Sequence, residues 1–513
     1  MAEAAEKWVN LPVPGEDPEI ISLYAPGGAM MGIVPLAVLA RVEELTGRPI
    51  TDVAQHMEGA SVAGFLVAGM NVRKSNDPDS PDYNKPRYTM KEGLKLFVDK
   101  TPGVFPHIEN RLAKMVVGQT IETRAESSPL SLKCDQDNKI VSSLCDGFNI
   151  FAVGLDAYTS ALFSIPDKII KDTWAKDYMY DSAKLEALYK EVLGEDTQLS
   201  DLRGSISIPA YNMTEGKVDF FTLRKEDFFD SALGNQFVSH GDPYLWEVAM
   251  AATANSLAYK PHIMEVDGEK IAFFDGAMFG LDVANRTLTD QDDPDAPNVT
   301  LVKIEVKPES KTPVAEFLKS SGAFGTVADL MSKEMPTDSE TLQRVFGNSV
   351  HGFTQGGLDH VNKYMADMDA MKAAGSDPGR RIVIAPRDLQ PNEDPASVPG
   401  LLESFTATPE NIEKILNYAD KMLADNDAAL KDLAVELMAN EVRRGNLTLD
   451  EYKQAVVRIM SSDYEHSEMP EYLESLKTKP DGSSNLDISR THGSEHLEQK
   501  HAVQKTHEHT PIV

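Results

Sequence analysis

The sequence predicts an α/β fold, with a central, mostly parallel sheet and helices on both faces, plus a small C-terminal helical region. Three observations lead there. Between Ile20 and Val72 the chain reads twice as strand, tight glycine-marked turn and helix. Further along, short apolar runs recur at 204–208, 219–223, 271–274, 299–306 and 381–385, with amphipathic or small-residue segments among them. Last, a stretch rich in Pro, Asp and Asn (386–399) is followed by sustained helical spacing over 400–460.

Residues 1–18 are a polar lead-in in which Pro12, Pro14 and Pro18 break any helix. Residues 20–24 read as the first buried strand. Over 33–46, Val34, Val38, Val42 and Leu45 keep helical spacing, Leu36 and Leu39 widen the face, and Gly47 is the stop. Residues 50–57 lead into a second turn, and 61–72 continue as a buried helix. A polar loop over 71–88 follows, and Thr89 with Glu92 has the spacing of a capping box. The segment 177–202 is amphipathic. The stretch 245–260 is dominated by Ala249, Ala251, Ala252, Ala254, Ser256 and Ala258, which predicts a helix packed closely on another element. In the C-terminal unit, Ile412, Ile415, Leu416 and Ala419 mark one helix, Leu430, Leu433, Ala434 and Leu437 a second, and 449–460 a third after Gly445 and Asn446.

Both early turns carry chemistry. A serine hydroxyl becomes a useful nucleophile only when it is exposed, oriented and given a base. A sharp strand-to-helix elbow exposes it, and bulky neighbours would block that elbow. The second turn, Gly59-Ala60-Ser61-Val62-Ala63-Gly64, makes Ser61 the candidate nucleophile. The first, Pro26-Gly27-Gly28-Ala29-Met30-Met31-Gly32, precedes a helix, and N–H groups at a helix start can hold an oxyanion. Gly27, Gly28 and Ala29 are the candidate oxyanion hole.

These motifs resemble those of the patatin-like phospholipases, which are serine lipid acyl hydrolases. The family's Asp-Gly-Gly-Gly-x-Arg-Gly motif is matched by residues 26–32, followed by Ile33, Val34 and Pro35. Its Gly-x-Ser-x-Gly is matched by Gly59, Ser61 and, imperfectly, Ala63. Its Asp-Gly-Gly or Asp-Gly-Ala is matched by Asp275-Gly276-Ala277. Leu45-Thr46-Gly47-Arg48-Pro49-Ile50 and the Ala-rich stretch before Asp275 are also similar to the family. The resemblance spans roughly residues 19–390. It implies a three-layer fold and a Ser61–Asp275 dyad without histidine. It also implies a phospholipase A or lysophospholipase activity that runs through an acyl-enzyme. The chain departs from the family pattern at Pro26, Ala29, Met31 and Ala63. An alanine in such a turn is harmless where the backbone angles suit it and costs about 1 kcal/mol or more where they do not.

Other readings of the same residues exist. His240 or His262 would serve a conventional Ser-His-Asp triad in which Asp275 only orients, while His56 packs beside the elbow. The altered motifs also fit a degenerate lipid-binding or scaffold protein, and the same dyad would serve an acyltransferase. The acidic loop 290–295 lacks the spacing of an EF-hand. Neither Cys134 and Cys145 nor the histidines of the tail make a metal site, and no cofactor is expected.

The domain division expected is a lead-in over 1–18, an acyl hydrolase domain over 19–390, a linker and helical appendage over 391–477, and a disordered tail over 478–513. Lys and Arg total 50 against 81 for Asp and Glu, a formal charge of −31. That argues against nucleic acid as a partner and against electrostatic docking on anionic membranes, but not against apolar contact with a lipid surface. Expected partners are a lipid or membrane-surface substrate and an activating protein. The acidic N-terminus is no standard signal peptide, and no run of about 18 apolar residues exists. The expected location is cytoplasmic or peripheral at membranes, with secretion by a non-classical route as the alternative.

Overall fold

The computed structural model describes residues 19–105, 180–212, 217–225, 237–238, 240–254, 259–266, 268–276, 299–306, 380–387, 397–399 and 406–477. The acidic loop, both cysteines, Ala277, the lead-in and the histidine-bearing tail lie outside the described residues.

The architecture is mixed α/β: a central, mostly parallel sheet flanked by helices, with further helices at the C-terminal end. Among the described residues nine strands form one sheet. They are β1 (Ile20–Ala25), β2 (His56–Gly59), β3 (Ser205–Asn212), β4 (Lys217–Arg224), β5 (Phe237–Val238), β6 (His262–Val266), β7 (Glu269–Asp275), β8 (Val299–Ile304) and β9 (Arg380–Ile384). The middle of the sheet, in the order β3-β2-β1-β8-β9, is parallel throughout. The antiparallel members β4, β5, β6 and β7 gather around β3.

The helices are α1 (Ile33–Thr46), α2 (Ile50–Val53), α3 (Val62–Asn71), α4 (Met90–Val104), α5 (Ser182–Leu193), α6 (Leu245–Thr253), α7 (Pro409–Asp425), α8 (Asp427–Arg443), α9 (Leu449–Ser461) and α10 (Glu468–Leu476). Helix α1 has the bounds its spacing predicts, and it is buried around nearly its whole circumference. A helix apolar all round needs cover on every side, and α4, α7, α8 and α9 supply it. Its lone cation, Arg41, is fully buried and meets charged or polar groups on its own helix and across that contact. It pairs with Glu44 at 3.2 Å and Asp427 at 3.1 Å, and donates to Ser462 Oγ at 3.0 Å.

Local capping follows the sequence. Thr89 and Glu92 form the predicted box at the start of α4, and Thr448 with Glu451 forms another at α9. Helix α6 is shorter than the 245–260 pattern predicts: it ends at Thr253, where Ala254 leaves helical angles with ψ 62°. Residues 255–258 fall outside the described set.

Alternation along the strands sorts side chains onto two faces. Ile21, Leu23, Met57, Ile206, Ile208, Phe221 and Val302 share one face and belong to the main core with the helices. Ser22, His56, Glu58, Ser205, Ser207 and Lys303 share the other and are buried too.

Candidate active site

Strand β3 has two edges. Strand β4 pairs along one of them. The other is divided: β2 runs parallel beside residues 205–207, and β7 runs antiparallel beside 210–212. The C-terminal ends of β2 and β7 therefore point at each other along the same edge. The chain leaves β2 through the elbow that carries Ser61, and β7 ends on Asp275. Ser61 Oγ donates to Asp275 Oδ2 at 2.6 Å, within the reach that direct proton transfer requires.

The two glycine turns meet for a similar reason. Ala25 and Gly59 are the last residues of their strands and pair with each other, so both turns leave the sheet side by side. The approach is close enough that a Cβ on Gly27 would lie 2.6 Å from Ala60 O and from Ser61 Cβ. Only glycine allows it.

Ser61 has φ 58° and ψ −133°, a conformation that costs an L-residue about 1–3 kcal/mol and persists only when its surroundings impose it. They do so here. A Cβ at Gly59 would lie 2.4 Å from Ala63 O, so the strand end and the first helical turn are in van der Waals contact. Ala63 N–H donates to Ala60 O at 3.1 Å and Gly64 N–H to Ser61 O at 2.9 Å. Ala63 takes the place of the motif's last glycine without strain, since it is not among the residues with positive φ. Ala29 differs: its φ is 50°, so that substitution carries a backbone cost.

Gly28, with φ 131°, caps a 3-10 turn (Ala29–Gly32) that runs directly into α1. The first N–H groups of a helix lack intrahelical partners and carry the positive end of its dipole. The first bond here is Met31 N–H to Gly28 O at 3.0 Å, and the N–H groups of Gly27, Gly28 and Ala29 precede it. Met31 is buried in the core.

Asp275 is 1 % exposed. Its backbone pairs with Ala210 across β3, and its N–H donates to Ala254 O at 3.2 Å, just past the end of α6. Beside it lies Tyr189, whose ring stacks on Phe65 at 4.4 Å and whose hydroxyl donates to Thr253 Oγ1 at 3.0 Å. Burial pushes the Tyr189 phenol well above its usual range, and the Asp275 carboxylate adds to the rise. Nothing in the sequence marks Tyr189; Thr253 hides among the small residues of the Ala-rich segment.

Among the described residues, His240, His262 and His56 make other contacts. The ring contacts of His240 and His262 among the described residues are to Phe221 and Trp246. His56 Nε2 lies 3.1 Å from Glu58 Oε1 on the polar face of the sheet. Burial, with Arg224 adding to it, lowers His56 to about 3. No group of three or more His, Cys, Asp or Glu side chains able to hold a metal occurs among the described residues. No described helix is long and apolar enough to cross a membrane.

A hydroxyl against a buried carboxylate, beside an uncapped helix start, can both deprotonate a nucleophile and hold an oxyanion. No protein-family model matches the chain, and no curated protein does. Among solved structures, the type III effector protein ExoU is 14% identical over 97% of this chain and 95% of its own, with a TM-score of 0.20. Full-length ExoU in complex with full-length SpcU, from the type III secretion system of Pseudomonas aeruginosa, is 13% identical over 90% and 91%, also at 0.20. A likeness at that TM-score carries no weight for the site, whose chemistry rests on the contacts of Ser61, Asp275 and the Gly27–Gly28–Ala29 turn.

Proposed function

We propose that this chain is a serine acyl hydrolase that cleaves fatty acyl esters of lipids, of the phospholipase A or lysophospholipase type. The observation that carries the reading is the 2.6 Å hydrogen bond from Ser61 to Asp275 on a strained elbow. Strain of that kind concentrates where a side chain must be presented for chemistry. The lipid substrate class rests on the resemblance of the three motifs to the patatin-like phospholipases.

In this mechanism Ser61 Oγ attacks the ester carbonyl carbon while Asp275 takes the hydroxyl proton. The carbonyl oxygen becomes an oxyanion held by the N–H groups of Gly27, Gly28 and Ala29. The tetrahedral intermediate collapses, the alcohol leaves with the proton from Asp275, and an acyl ester remains on Ser61. Water attacks that ester, with Asp275 again as base, and frees the fatty acid.

The test is labelling with a fluorophosphonate probe and turnover of phosphatidylcholine and lysophosphatidylcholine, comparing wild type with Ser61→Ala and Asp275→Asn. Labelling should vanish in Ser61→Ala, and turnover should fall by about a thousand-fold or more in both variants. Undiminished esterase activity in Ser61→Ala sinks the reading.

A further inference from the structure

The base in this dyad is held from the end of a helix as well as from the sheet. Asp275 N–H reaches the carbonyl of Ala254, the first residue past α6. Where that carbonyl sits depends on how α6 is finished. Its last residue, Thr253, donates its hydroxyl back to Ala249 O at 2.7 Å and accepts from the Tyr189 hydroxyl at 3.0 Å. Tyr189 is 2 % exposed and Thr253 6 %, so water is kept from replacing a lost partner. The same tyrosine also touches the helix that follows the other half of the dyad. Its ring stacks on Phe65 at an interplanar angle of 23°, and Phe65 lies on α3, the helix that opens at the elbow of Ser61.

We propose that Tyr189 is a positioning residue that sets the distance between Ser61 and Asp275. Its ring braces the helix that follows the nucleophile, and its hydroxyl, through Thr253, fixes the carbonyl that anchors the base. This inference rests on the dyad reading. Both hydroxyl protons have one direction in the chain: Tyr189 donates to Thr253, and Thr253 donates to Ala249. Burial keeps the phenol protonated, so Tyr189 itself neither gives nor takes the reaction's proton.

The test uses the full chain and four variants: Tyr189→Phe, which keeps the stacked ring and deletes the hydroxyl, Thr253→Val, the Tyr189→Phe/Thr253→Val double variant, and Thr253→Ser, which restores the hydroxyl. Sites are counted by fluorophosphonate titration, so that unfolded protein does not enter the rate. Misplacing a reacting group by a fraction of an ångström costs substantial rate, so kcat should fall about ten-fold in Tyr189→Phe and in Thr253→Val with KM nearly unchanged. The double variant should be no slower than the slower single by more than about two-fold, because both substitutions cut one chain of bonds. Thr253→Ser should return most of the rate. A lower unfolding midpoint with unchanged kcat per titrated site would make this an ordinary core hydrogen bond and overturn the proposal. Wild-type turnover that survives Ser61→Ala would instead overturn the dyad, and the positioning role with it. Turnover that needs Ser61 and Asp275 yet ignores Tyr189 would overturn the positioning role alone.

Discussion

One face of the central sheet presents Ile21, Leu23, Met57, Ile206, Phe221 and Val302, and the other presents Ser22, Tyr24, His56, Glu58, Ser207 and Lys303. Both are buried. The first is held by contact: it packs into one core with α1 and α3, and its residues act through volume. The second is held by paired polar groups, with His56 against Glu58 at 3.1 Å, Lys303 against Glu305 at 2.7 Å and Ser207 against Thr222 at 3.4 Å. Asp275 pairs with Ala210 and so belongs to the apolar face, where its carboxylate meets Ser61. The Ser61–Asp275 pair thus draws its geometry from the side of the sheet where position is set by packing, and the paired groups around His56, Ser207 and Lys303 lie on the other side.

The largest blow to the apolar side should come from Phe221→Ala. That ring is fully buried against Phe273, and the cavity should cost about 4 kcal/mol in urea unfolding. Gly59→Ala should follow at about 3 kcal/mol, because its methyl has nowhere to go beside Ala63, and it should also abolish fluorophosphonate labelling. A Gly59→Ala protein that labels like wild type would mean that the elbow yields more easily than its contacts imply.

The polar side should show itself through pH. His56 is lowered from 6.5 to about 3 in the folded chain. Below pH 6.5 the unfolded chain therefore binds a proton that the folded chain refuses. The full stability is present above 6.5 and is lost as pH falls from there toward 3, by about 1.4 kcal/mol per unit for this one group. His262, lowered to about 4 by burial, acts in the same sense from the apolar face, where it is in register with Phe273. Unfolding followed from pH 7 to 4.5 should give a shallower slope in His56→Gln than in wild type, and equal slopes would remove His56 from the account. The smallest effect should come from Thr448→Ala. It breaks the capping box of α9 away from both faces and should cost about 1 kcal/mol with labelling unchanged.

The same division explains what the sequence revealed. Helix α1 is legible to the residue because every turn of it meets an apolar neighbour and Gly47 stops it. The boxes at Thr89 and Thr448 are local bonds three residues long, and spacing alone exposes the first. Strand β2 is different. His56 and Glu58 occupy its polar face, so apolar periodicity cannot find it; only the turn after it can. Strand β6 is short and pairs among the described strands with β7; only Met264 and Val266 alternate as buried residues with exposed Ile263 and Glu265, too brief a pattern to stand out. Ser61, Asp275 and the Gly27–Ala29 turn were each readable as motifs, but their meeting was not. It depends on β2 and β7 sharing one edge of β3, a matter of long-range register that no local string encodes. Tyr189 and Thr253 lay beyond reach for the same reason: they join α5 to α6 across 64 positions of sequence.

Strands β2 and β7 butt against each other on a common edge although Ser61 and Asp275 are 214 positions apart. A slip of two residues by β7 would carry the carboxylate about 7 Å along the edge and out of reach. On the proposed mechanism, reactivity is therefore a clock for chain closure. Contacts that span so much sequence form late, so during refolding the helical signal of the chain should recover first. The serine should become reactive only when the last strand has found its place.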